Sequence, residues 1–143
     1  MIKKNSTKIF SIESLILTAS LFSIVLSFYL TIQEGSVHIP LNNGIRIPET
    51  CFIKTTTGIN CPTCGLTRCF IAISHGSFGK AAGFNLGGII AYIYVLFQIP
   101  YRIMRILKKG NLSIMQKANY IFTVITGSAL LLSWLIYIFS LIL

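Results

Sequence analysis

An all-α fold set in a membrane, with three transmembrane helices and a short amphipathic interfacial helix at a cysteine motif, is what this sequence predicts. Three observations lead there. The 143 residues are 54% hydrophobic and only 10% charged, with a mean hydropathy of +0.78, where soluble domains carry about 25% charged residues. So few charges cannot solvate the surface of a water-soluble globule this apolar. Three apolar runs are each long enough to cross a hydrocarbon core of about 30 Å. Eight of the twelve lysines and arginines gather beside those runs.

The first run covers residues 9–32 and is broken by Glu13 and small hydroxyl residues. It exceeds the usual signal-peptide core of about 7–15 residues, and no clean Ala-x-Ala site follows. An uncleaved signal anchor is therefore expected. Glu13, at its inner end, is expected to reach Lys3, Lys4 and Lys8. The second run covers residues 83–101, with Pro100 near its end, where a missing backbone donor does least damage. The third covers residues 119–143 without a charge, and Trp134, Tyr137 and Phe139 suit an interfacial anchor.

Orientation follows from positive-charge density. Lys3, Lys4 and Lys8 precede span one, and Arg102, Arg105, Lys108, Lys109 and Lys117 crowd the short second loop. The segment 33–82 spreads four such residues over about fifty positions. The positive-inside rule then predicts a multi-pass plasma (inner) membrane protein with a cytoplasmic N-terminus and an extracytoplasmic C-terminus. The formal charge of +9 is mostly topological, and the basic loop suits anionic lipid rather than nucleic acid.

The segment 33–82 begins with turn residues. Asn42-Asn43-Gly44, flanked by His38-Ile39 and Ile45-Arg46-Ile47, predicts a short hairpin. The informative stretch lies within residues 51–69. Pro62 suits a first helical turn, and a helix over residues 61–75 puts Cys61, Cys64, Arg68, Ala72 and His75 on one stripe. Leu66, Cys69, Phe70 and Ile73 fall on the other side. Gly65 costs such a helix about 1 kcal/mol. A thiol at a helix N-terminus near an arginine favours thiolate, the form that attacks disulfides and binds soft metals.

Four readings of these cysteines stay open, one being that they are reduced and inert. Cys51 pairs with Cys61 or Cys64 in a disulfide worth about 2–3 kcal/mol. Alternatively Cys51, Cys61 and Cys64, with His75, His38 or Cys69, surround zinc or copper; a tetrahedral site needs a second pair beside Cys61 and Cys64, and with no second Cys-x-x-Cys present, Cys51 plus His75 would supply it at irregular spacing. Or Cys61 attacks and Cys64 resolves in thiol–disulfide exchange, with no thioredoxin-like framework to support it. Arg68 suits a lipid phosphate or a partner contact. Gly79, Gly83, Gly87 and Ala91 recur every four residues, a small-residue face for helix packing or self-association. Asn85 is expected to cap a helix or bond across helices. No phosphate-binding glycine loop, nucleophile elbow or zinc-protease helix is present.

The run Cys51-x9-Cys61-Pro62-x-Cys64-Gly65-Leu66-Thr67-Arg68, followed by His75-Gly76 and Asn85, resembles the bacterial "domain of unknown function 2752" family. Those are small multi-span membrane proteins with a Cys-Pro-x-Cys-Gly-Leu-Thr-Arg signature. The likeness covers roughly residues 51–88. Leu86 departs from it, since a proline commonly follows the asparagine. The resemblance implies an integral membrane protein and brings no established activity. The leading expectation is a non-enzymatic accessory or scaffold subunit using an extracytoplasmic cysteine knuckle, with a bilayer and another membrane protein as partners. The alternative is a thiol-redox or metal-handling protein, with zinc or copper as the cofactor.

Overall fold

The computed structural model describes residues 2–33, 35–40, 45–47, 51–107 and 112–142. Three helices are long and apolar enough to cross a membrane. They are α1 (Ile2–Tyr29), α5 (Leu86–Ile106) and α6 (Leu112–Ile142). Three short helices lie between the first two: α2 (Phe52–Thr57), α3 (Leu66–Ser74) and α4 (Phe78–Phe84). A small antiparallel sheet precedes them, made of β1 (Thr31–Gln33), β2 (Ser36–Ile39) and β3 (Ile45–Ile47) in that order. The fold is thus mostly helical rather than all-α.

α1 is amphipathic in the inverse sense. Its buried positions Glu13, Ser20 and Ser27 recur every seven residues and are polar, while Leu15, Phe22, Val25 and Phe28 point outward. A heptad repeat keeps one seam against a neighbouring helix. Lipid tails accept the apolar outer face at no cost, whereas water would not. The helix stops at Tyr29, and Thr31–Gln33 joins the sheet. The first apolar run is therefore shorter as a helix than its hydropathy suggests, because β-strand pairing claims its last residues.

Gly35 turns β1 into β2 with φ +75°, a left-handed conformation that side chains resist. The expected pairing of β2 with β3 is present, with His38 opposite Arg46 and Ile39 opposite Ile45. The Asn42-Asn43-Gly44 turn itself lies outside the described residues.

α5 is the central helix and packs against both α1 and α6. Pro100 lies inside it, and the helix continues to Ile106. A Cβ on Gly87 would lie 2.9 Å from the Ala129 carbonyl oxygen, so glycine sets the α5–α6 approach. Gly88 performs the same service for Cys69, whose Sγ would lie 2.8 Å from an added Cβ. The small-residue stripe does not run unbroken. Gly79 and Gly83 belong to α4, stand exposed, and have nothing within 4 Å of an added Cβ. Asn85, extended at φ −164°, separates the two helices.

The core sits at the head of α5, where α3 and α4 fold back. Cys69, Ala72 and Ala81 form one buried cluster; Phe70, Ala91 and Tyr92 form another. The Phe70 and Tyr92 rings meet edge to face at 5.1 Å. Ser27, Ser74 and Tyr92 link α1, α3 and α5 through hydroxyl contacts of 2.7 and 3.0 Å.

At the other end, the bundle interior carries charge. Buried Glu13 accepts hydrogen bonds from Arg102 and pairs with Arg105 at 3.3 Å, so its partners among the described side chains come from α5. Arg102 also donates to Gln98 at 3.0 Å, and Gln98 donates to Asn119 of α6 at 2.7 Å. The N-terminal lysines expected as its partners have side chains outside the described set.

Candidate metal and thiol centre

The cysteine motif is a turn, not a helix. The Cys64 N–H donates to the Cys61 carbonyl at 3.0 Å and the Leu66 N–H to that of Thr63 at 3.1 Å. Gly65 then adopts φ +81°, and α3 begins at Leu66. That departs from the expected helix over residues 61–75, and the stripe joining Cys61, Cys64 and His75 dissolves with it. Glycine is needed here twice over, because a Cβ at residue 65 would also lie 2.6 Å from the Phe84 carbonyl oxygen.

Two clamps hold the turn. Asn85 Nδ2 donates to the carbonyls of Pro62 and Cys64 at 3.0 and 3.1 Å, while its Oδ1 accepts from the Gly88 N–H and caps α5. From α6, Trp134 Nε1 donates to the Asn60 carbonyl at 2.8 Å. Trp134 thus anchors the motif as well as suiting an interface.

Cys51, just ahead of α2, comes back to this turn. Its Sγ lies 3.4 Å from that of Cys61 and 3.2 Å from that of Cys64, and the latter two are 3.4 Å apart. The result is a nearly equilateral triangle of three thiols. A sulfur–sulfur bond needs about 2.05 Å, so at these separations the three thiols stand unbridged. A circle through the three sulfurs has a radius of about 1.9 Å, shorter than a metal–thiolate bond of about 2.3 Å. An ion bonded to all three would therefore cap the triangle from one side. The three are the group of ligand-type side chains, among the described residues, close enough to share an ion.

Thr63 Oγ1 lies 3.3 Å from Cys61 Sγ. Hydrogen bonding to Thr63, opposed by burial and helped by the Cys51 and Cys64 thiols, holds the Cys61 thiol down at about 7. Burial first, and then the neighbouring thiols, push Cys64 up to about 11. Cys61 and Cys64 line two cavities. One of about 300 Å³ also contains Cys51, Val37, Thr67 and Arg68. The other, about 220 Å³, reaches Phe84, Trp134 and Tyr137.

The remaining expected site residues lie apart. His75 closes α3 at its far end, with Nε2 at 2.9 Å from the Leu30 carbonyl oxygen. Cys69 is fully buried behind the turn, 3.3 Å from the Asn85 carbonyl, and burial pushes its thiol up to about 11. Arg68 donates to the Gly35 carbonyl at 3.0 Å and lies over the Phe84 ring. It therefore ties the sheet to α4 beside the cysteines. Thr63 and Gly65 carry more of the site than sequence reasoning gave them; the spacing of Gly65 one residue after Cys64 was the available signal.

Residues 51–99 match one family model, described as Protein of unknown function (DUF2752). That stretch holds the three converging cysteines, Gly65, Arg68 and the Asn85 clamp. No curated protein and no solved structure matches the chain.

Proposed function

We propose that this is an integral membrane protein, N-terminus inside and C-terminus outside, whose Cys51, Cys61 and Cys64 hold a soft metal ion at the extracytoplasmic surface. The observation that carries the reading is the sulfur triangle with sides of 3.2–3.4 Å. Three thiolates favour Cu(I) or zinc over hard cations. Zinc in structural sites takes four protein ligands, so an all-sulfur set of three suits Cu(I) better. The ion would lock the segment ahead of α2 onto the turn, giving an accessory membrane subunit a metal-dependent outer surface. A neighbouring membrane protein or a second copy would meet the exposed Gly79 and Gly83 side of α4, since Gly87 is consumed by packing against α6.

Titration of the purified protein with Cu(I) and with zinc against a chromophoric chelator tests this. One ion per chain is expected. Cys51→Ser, Cys61→Ser and Cys64→Ser should each weaken binding by at least tenfold, while Cys69→Ser should leave it unchanged. Binding that survives all three single substitutions sinks the proposal.

A further inference from the structure

Holding an ion does not exhaust the chemistry of three converging thiols. We propose that Cys61 also carries out thiol–disulfide exchange with a low-molecular-weight disulfide, using Cys51 and Cys64 as alternative resolving thiols. The activity uses the same three sulfurs as the metal reading and does not require an ion.

The geometry gives each residue its role. Cys61 Sγ has three polar neighbours in reach: Thr63 Oγ1 at 3.3 Å, and the Cys51 and Cys64 sulfurs at 3.4 Å each. It lines a cavity of about 300 Å³ that is roomy enough for a small disulfide. The two other sulfurs stand at equal distances from it, one from ahead of α2 and one from the far end of the turn. A group carried on Cys61 can therefore be displaced from two directions. A dithiol with a single resolving partner lacks that redundancy.

The step balances as follows. The Cys61 thiolate attacks one sulfur of the external disulfide; a Cys61–sulfur bond forms and the external sulfur–sulfur bond breaks. The departing thiolate takes up the proton that Cys61 gave up. Cys51 or Cys64 then gives up its proton and attacks the Cys61 sulfur, closes an internal disulfide and expels the second external thiolate, which takes up that proton. The protein loses two electrons, and the external disulfide becomes two thiols.

The test uses the full chain in detergent, stripped of metal by a chelator and treated with oxidised glutathione. Acid quenching and peptide mapping by mass then locate each modification. In the wild-type chain a transient glutathione adduct is expected on Cys61, followed by an internal disulfide that includes Cys61. Cys51→Ser and Cys64→Ser should each still form that disulfide, through whichever resolving thiol remains. Only the double variant Cys51→Ser/Cys64→Ser should accumulate the adduct. A first adduct on Cys51 or Cys64, accumulation in Cys64→Ser alone, or no reaction overturns the proposal. The early wild-type quench needs no substitution, so a folding defect cannot mask the result. Lost exchange with intact chelator-measured ion binding removes this proposal alone; loss of both in the wild-type chain removes the sulfur triangle itself.

Discussion

At Asn85 one amide serves two elements, capping α5 with its oxygen while its nitrogen holds the Pro62 and Cys64 carbonyls. Asn85→Ala leaves those groups without partners, each omission costing about 1–3 kcal/mol where water cannot replace it. Because the clamp orients two of the three sulfurs, ion affinity should fall about 10–100-fold, as for other residues supporting ligands. Chelator competition measures this, and Asn85→Asp separates loss of the nitrogen donor from loss of the cap. The thiols themselves predict a pH signature. Cys61, held at about 7 chiefly by Thr63, is protonated below neutrality and ionised above it; Cys64, raised to about 11, stays protonated throughout. Alkylation of the metal-free protein should therefore rise at Cys61 through pH 7, with Cys64 lagging by orders of magnitude. Thr63→Val should move the Cys61 midpoint upward. An identical profile at both cysteines contradicts the assignment.

Between elements, Glu13 of α1 faces Arg102 and Arg105 of α5 at the end of the bundle away from the cysteine turn. Removing one member of a buried ion pair leaves uncompensated charge and costs about 3–5 kcal/mol. Glu13→Gln should lower the unfolding midpoint in detergent by a matching amount. Glu13→Gln combined with Arg102→Gln should recover part of it, as a double-mutant cycle would show. Equal stabilities for wild type and Glu13→Gln would mean that the pair is not a structural link. The network also shows why α1 docks as it does. Glu13 reaches α5 and Ser27 reaches Ser74 of α3, while Ile24 packs on the Phe70–Ala91–Tyr92 cluster, so polar pairs and apolar burial together set where α1 docks.

Across the whole molecule, α1 and α6 keep most of their described apolar side chains on the outside. Ile121, Leu131, Leu135, Ile136 and Phe139 of α6 are all exposed, a surface that suits acyl chains and not water. If the N-terminus is inside, the cysteine turn faces outward. A membrane-impermeant maleimide should then label Cys61 on intact cells after chelation and mild reduction, and Cys61→Ser should remove most of that signal. Labelling confined to permeabilised cells would invert the topology and place the thiols in the cytoplasm.

How far the sequence reaches depends on the range of the interaction. Apolar runs, basic loops and the β2–β3 strands depend on neighbours in the chain, so hydropathy, charge density and turn chemistry located them. The choice of Cys51, Cys61 and Cys64 as one group was legible too, from residue type and spacing. What spacing along a helix could not supply was the break at Gly65, because that break depends on Phe84 arriving from α4 as well as on the glycine's own φ. With the helix gone, His75 moved to the far end of α3 and Cys51 moved in. Glu13 found arginines 89 and 92 residues away for the same reason. Composition by itself determined three helices long and apolar enough to cross a membrane. Tertiary structure decided which sulfurs meet and which charges pair, since such partners are selected by the packing of α3, α4 and α5 and by nothing local.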